Sequence, residues 1–150
     1  MNSLSKSHLT VFKILLLTLI ALFNIFWLGN YSNPQAAFNS LLSAAATMDL
    51  DNFLDCCDLE SMTGEQVTPQ TKEQIKSSLK NDPYRREFIR KILNYLNNSF
   101  FLIIKETTIS PEMKTLFIKN NKTGEQAQLL FRKRKGEWKL SSLREIKTEQ

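Results

Sequence analysis

Apolar and polar positions divide this chain into three patterns. From Leu9 to Leu28 the sequence is almost unbroken, LTVFKILLLTLIALFNIFWL, with Lys13 and Asn24 as interruptions. Residues 33–97 then carry apolar positions at helical spacing. After Ser99 the period shortens to that of strands. A run of about 20 apolar residues is long enough to span a bilayer.

The helical part opens at Asn33-Pro34, a favoured cap followed by a proline tolerated in the first turn. Phe38, Leu41, Leu42, Ala45 and Met48 follow on one face. A short helix is predicted next, with Leu50, Phe53, Leu54 and Cys57 together. Residues 60–68, ESMTGEQVT, read as a loop. Pro69 starts a helix carrying Ile75 and Leu79. Asp82-Pro83 caps the most regular helix, Tyr84 to Asn97. At 100° per residue, Tyr84, Phe88, Ile89, Ile92, Leu93, Tyr95 and Leu96 fill half its surface. Such a stripe is expected to lie on a sheet or core.

FFLIIKETTI (100–109), TLFIK (115–119), QAQLLFRKR (126–134) and EWKLSSL (137–143) are the predicted strands. NNKTGE (120–125) and Lys135-Gly136 supply turns. Helices first and an antiparallel meander last predict an α+β domain with about four strands. A two-residue turn at Lys135-Gly136 puts Leu129, Phe131, Lys133, Trp138, Leu140 and Ser142 on one face. Arg132, Arg134 and Lys139 then stand on the other, where Arg134 can pair with Glu137. Lys133 falls opposite Trp138, within cation–π reach.

Charge adds an orientation. The net +5 conceals +2 over residues 1–28, −6 over 29–71 and +9 over 72–150. Lys6 and Lys13 precede the apolar run, and no basic residue follows it until Lys72. The positive-inside rule then predicts a cytoplasmic N-terminus and an external domain. The expected layout is a cytoplasmic 1–8, a transmembrane signal anchor at 9–31, an extracytoplasmic domain at 32–146 and a frayed tail at 147–150. Trp27 and Tyr31 fall where an interfacial aromatic belt would lie. The alternative is a cleaved signal peptide and a secreted or periplasmic product. Cleavage needs small residues before the cut, and Phe26, Trp27 and Leu28 are bulky.

Candidate chemistry is sparse. The single histidine, His8, precedes the apolar run, so a histidine base and a zinc site in the domain are not expected. Asp49, Asp51, Asp55 and Asp58 are numerous, but no glycine falls among them as a calcium loop requires. They read as solvated helix caps and faces. No catalytic residue, cofactor or metal is implied. Cys56-Cys57 reads as one buried and one half-exposed thiol, with an intermolecular or vicinal disulfide as the alternatives.

The segment NPQAAFNSLLSAAATMDLDNFLDCC and the closing GEWKLSSL resemble small extracytoplasmic domains of the nuclear transport factor 2-like superfamily, which shares a cystatin-like cone. The resemblance covers about residues 33–143. It implies a curved antiparallel sheet wrapped around helices, with a cavity, and dimerisation through the sheet in many members. Members include isomerases, dehydratases, bacterial envelope proteins and assembly subunits of secretion machines. Gln66-Val67 lacks the glycine of the cystatin inhibitory hairpin, so inhibition is not implied.

Two groups of site residues follow. Tyr84, Phe88, Tyr95, Phe131 and Trp138 are the candidates to line a cavity. Arg132 and Lys139 are direct like-charge neighbours in the predicted hairpin, a costly pair. They are therefore expected to contact an acid, an anion or a partner. The function predicted is a non-enzymatic, membrane-anchored binding or assembly module that binds an envelope protein, a second copy or a small ligand outside the membrane. The alternatives are a small-ligand or isomerase-type enzyme working in the cone, and a secretion-apparatus subunit. Nucleic-acid binding is not expected from the basic run, because it splits between two faces of a hairpin.

Overall fold

Short polar side chains start every helix of the domain. The computed structural model describes residues 29–98 and 100–146. Among them lie α1 (Pro34–Ala46), α2 (Leu50–Asp55), α3 (Leu59–Thr63), α4 (Pro69–Asn81) and α5 (Pro83–Asn97). Asn33, Asp49, Asp58, Thr68 and Asp82 are their N-caps, accepting hydrogen bonds from the first-turn N–H groups. Prolines at the starts of α1, α4 and α5 have no N–H that needs a partner there. Four strands follow: β1 (Phe101–Ser110), β2 (Met113–Asn120), β3 (Gln126–Arg134) and β4 (Glu137–Ile146). They form one open antiparallel sheet in the order β1-β2-β3-β4. The α+β class and the helices-then-meander order are as the sequence predicts.

The structure departs from the expected elements at residues 60–68, at Met48 and on the first turns of α5. Part of the predicted loop at 60–68 is helical, because Asp58 accepts from Ser61 N and Oγ and starts α3. Gly64, at φ 74°, ends that helix in the left-handed region that glycine enters without strain. Met48 lies past the end of α1 at φ 53° and is 39 % exposed, so it leaves the apolar face it was read onto. Tyr84 and Phe88 belong to the predicted apolar half of α5 yet are 88 % and 63 % exposed. α5 packs on α1 and α4, and its buried positions begin only at Ile89. Its first turns therefore overhang the core.

The core is a single layer between the helices and one sheet face. Phe38 and Leu41 of α1 and Ile89, Leu93 and Leu96 of α5 meet Leu116, Ile118, Leu129, Phe131, Trp138 and Leu140. Fully burying such a side chain stabilises by about 1.5–3 kcal/mol. The β3–β4 hairpin turns at Lys135-Gly136, with φ 50° and 86°, as a two-residue turn of the primed kind demands. Its register pairs Arg134 with Glu137, Lys133 with Trp138, Arg132 with Lys139 and Phe131 with Leu140. The register then shifts between Leu130 and Phe131, leaving Ser141 as an extra residue. That bulge reverses the expected facing beyond it: Ser142 is exposed, and Leu143 packs against the core.

The two sheet edges differ. β4 is covered from outside by residues 56–58. Leu140 N donates to Cys56 O, and Asp58 N donates to Leu140 O, both at 2.8 Å. Trp138 N donates to Tyr31 O at 2.9 Å. β1, at the other edge, has no strand beyond it among the described residues.

Among the described residues no helix is long and apolar enough to cross a membrane. The apolar run at 9–28, His8, Lys6, Lys13 and Trp27, and the tail at 147–150, lie outside the described residues.

Candidate functional site

The covered β4 edge is a seam of charges. The Nε of Arg134 lies 3.2 Å from both carboxylate oxygens of Asp58, whose side chain is 1 % exposed. The same guanidinium reaches Glu60 Oε2 at 3.2 Å. The expected Arg134–Glu137 pair therefore does not form, although the two residues face each other in the register. Leaving the buried Asp58 carboxylate without a cation costs more than leaving the solvated Glu137 without one, so the guanidinium goes to Asp58.

Glu137 pairs instead with Lys139, at 2.9 Å. Lys139 also donates to the Asp55 carbonyl at 2.7 Å and stands 3.4 Å from the centre of the Tyr31 ring. The Arg132–Lys139 adjacency is present. Lys139 thus finds an acid within the chain, which relieves the like-charge contact from one side. The Nε of Arg132 is buried without a hydrogen-bond partner among the described residues. Lys133 lies 6.0 Å and Lys114 5.7 Å from the Trp138 ring centre.

Next to this seam, Lys76 is 5 % exposed and meets Asp55 at 3.1 Å. Lys72 reaches the same Asp55 oxygen at 2.6 Å. Burial works against the charge on Asp55, but hydrogen bonds from Lys72 and Lys76 outweigh it and hold the carboxyl below its usual range. Of the four aspartates at 49–58, Asp49 and Asp58 cap helices and Asp51, Asp55 and Asp58 pair with cations, so Asp58 does both. Asp58 is buried rather than solvated, because α3 and Arg134 close over it. Among the described residues no group of three His, Cys, Asp or Glu is arranged to hold a metal ion.

Both cysteines are free and buried, 2 % exposed at Cys56 and 6 % at Cys57. The half-exposed thiol of the sequence reading is covered by Tyr31, whose hydroxyl lies 3.8 Å from Cys56 Sγ. Burial pushes the Cys56 thiol up to about 11, and Cys57 is raised further by the same cause.

The five candidates for a cavity lining are not brought together. Phe131 and Trp138 are in the packed core, and Tyr84 and Phe88 are on the surface. The Tyr95 ring lies tilted against Phe101, 5.4 Å between centres, and borders a groove of about 340 Å³. Asn94, Asn98, Lys122 and Glu125 complete much of its lining. Burial raises the Tyr95 hydroxyl above its ordinary pKa, with Glu125 and Glu145 adding to the effect.

A feature the sequence does not disclose is the exposure of β1. Leu102, Ile104 and Ile109 are 47 %, 52 % and 57 % exposed, and Phe100 just before the strand is 62 % exposed. A run of strand-forming apolar residues reads as buried, and only the position at a free edge reverses this. The edge presents backbone donors and acceptors beside apolar side chains, the combination that adds a strand from a partner. Register shifts after Ile103 and after Thr108 interrupt the ladder on its inner side.

Compared with family models, with curated proteins and with solved structures, the chain matches none of them.

Proposed function

We propose that this chain is a membrane-anchored extracytoplasmic binding module whose α+β domain engages a protein partner along β1. The observation that carries the reading is the contrast between the two sheet edges. β4 is covered by the chain's own residues 56–58, whereas β1 leaves Leu102, Ile104 and Ile109 exposed beside an edge with no strand beyond it among the described residues. Apolar side chains gathered at one edge mark an interaction site more often than a solvated surface. The anchor rests on the apolar run at 9–28 and on the absence of basic residues between Lys13 and Lys72. The helices-then-meander order and the Gly136–Trp138 hairpin support the likeness to the nuclear transport factor 2-like domains.

A photo-crosslinking residue in place of Ile104, in the full chain in its native membrane, tests this. The expected result is one discrete adduct, absent when the crosslinker replaces exposed Lys91. A second copy of the chain in that adduct would make the module a homodimer, and an envelope protein would make it an assembly subunit. Equal, diffuse labelling from both positions overturns the reading.

A second reading is small-ligand binding in the groove beside Tyr95, favoured by its volume of about 340 Å³. Tyr95→Ala, which should abolish saturation-transfer signals from a ligand library, tests it.

A further inference from the structure

Tyr31 belongs to the folded domain. Its carbonyl accepts from Trp138 N at 2.9 Å, and its ring lies under Lys139 at 3.4 Å. Asn30 is held too: its N donates to Ser40 Oγ at 2.9 Å, and its carbonyl accepts from that hydroxyl at 3.2 Å. Gly29 is then the only described residue left between this attachment and the apolar run that ends at Leu28. Three residues, Leu28 to Tyr31, extend at most about 11 Å. The attachment point is the start of β4, three positions from the Lys135-Gly136 turn, or about 10 Å along a strand.

The sequence run and the fold thus set the β3–β4 hairpin within about 20 Å of the end of the apolar run. The headgroup zone on one side of a bilayer is itself about 5–8 Å deep. At the hairpin tip most cations are already paired: Arg134 with Asp58 and Glu60, Lys139 with Glu137. Lys133 and Lys135 are exposed and have no carboxylate partner among the described residues. Lys133 sits over Trp138, and Lys135 has only a 3.5 Å contact with the Val67 carbonyl.

We infer that Lys133 and Lys135 rest on anionic phospholipid headgroups and fix the domain's orientation on the membrane. The proposal rests on the anchor reading above. It places the tip of the β3–β4 hairpin at the bilayer, while β1 lies three strand spacings from β4 across the sheet, about 14 Å, open to a partner. Lipid contact is favoured over a soluble anion because a two-lysine site is weak alone. An attachment this short raises the local concentration of membrane surface, not of any free ion. Each lysine near an anionic surface shifts occupancy about fivefold, so the pair shifts it about thirtyfold.

The test uses the full chain carrying Trp27→Phe, which leaves Trp138 as the only tryptophan. It is reconstituted in vesicles with nitroxide on the lipid headgroup. One set is phosphatidylcholine alone and the other contains phosphatidylglycerol. Trp138 fluorescence is expected to be quenched more strongly in the anionic vesicles. The difference should vanish in the Lys133→Gln, Lys135→Gln variant and shrink in high salt. Alkaline carbonate extraction separates the two claims. Release of the protein overturns the anchor and the proposal with it. Retention with equal quenching in both lipids, or with quenching unchanged in the double variant, overturns the lipid contact alone.

Discussion

The guanidinium of Arg134 lies 3.2 Å from both oxygens of Asp58, joining the tip of the last hairpin to the start of α3 across 76 residues. Asp58 caps α3 and is almost fully buried, so Arg134 is the cation that offsets the desolvation of its carboxylate. Arg134→Ala strands a buried carboxylate and is expected to destabilise the domain by about 3 kcal/mol. Arg134→Lys should recover only part of that, since lysine lacks the planar fork. Urea unfolding of the two variants checks both.

Acid should weaken the domain through Asp55. Its folded-state pKa lies below its unfolded value, so the unfolded chain takes up the proton first as pH falls. The contribution is fully present above the unfolded carboxylate value of about 3.9 and is lost as pH drops through the folded one. Asp55→Asn should lower stability at neutral pH and flatten the acid side of the profile. Thermal melts across pH 2–7, a window of about five units, measure this.

The cysteines should be inert while the fold holds. With the Cys56 thiol at about 11 rather than 9.0, its thiolate fraction falls about 100-fold at neutral pH. Alkylation by iodoacetamide, followed by mass spectrometry, should modify neither residue in buffer and both in denaturant. Fast labelling of either one in the native protein would contradict the burial.

The first turns of α5 should tolerate polar replacement. Tyr84→Ser and Phe88→Ser are expected to change stability by no more than about 0.5 kcal/mol. Leu93→Ala, on the buried face of the same helix, should cost about 3 kcal/mol. Denaturation midpoints of the three variants give the comparison. A large loss at Phe88 would mean that a surface covers it.

Much of the local architecture was legible in the sequence for a local reason. Asn33, Thr68 and Asp82 stand before prolines that can open a helix, and Gly136 allows the one turn that closes the hairpin. The pairing of Arg132 with Lys139 followed from that turn alone, because a two-residue loop fixes the register next to it. The register failed at Ser141, where a bulge answers packing rather than turn chemistry. α3 was missed although Asp58 and Ser61 carry a capping signal, since five residues are too few for periodicity to show.

The chain by itself determined the helix starts, the hairpin and the order of helices before strands, because caps, prolines and glycines act through bonds within a few residues. Only the tertiary structure decided which apolar positions are buried, that Arg134 chooses Asp58 over Glu137, and that Tyr31 joins β4. Those outcomes depend on which surfaces meet. Ile104 is as apolar as Ile118, yet as the extra residue of a bulge on the edge strand it stays in water.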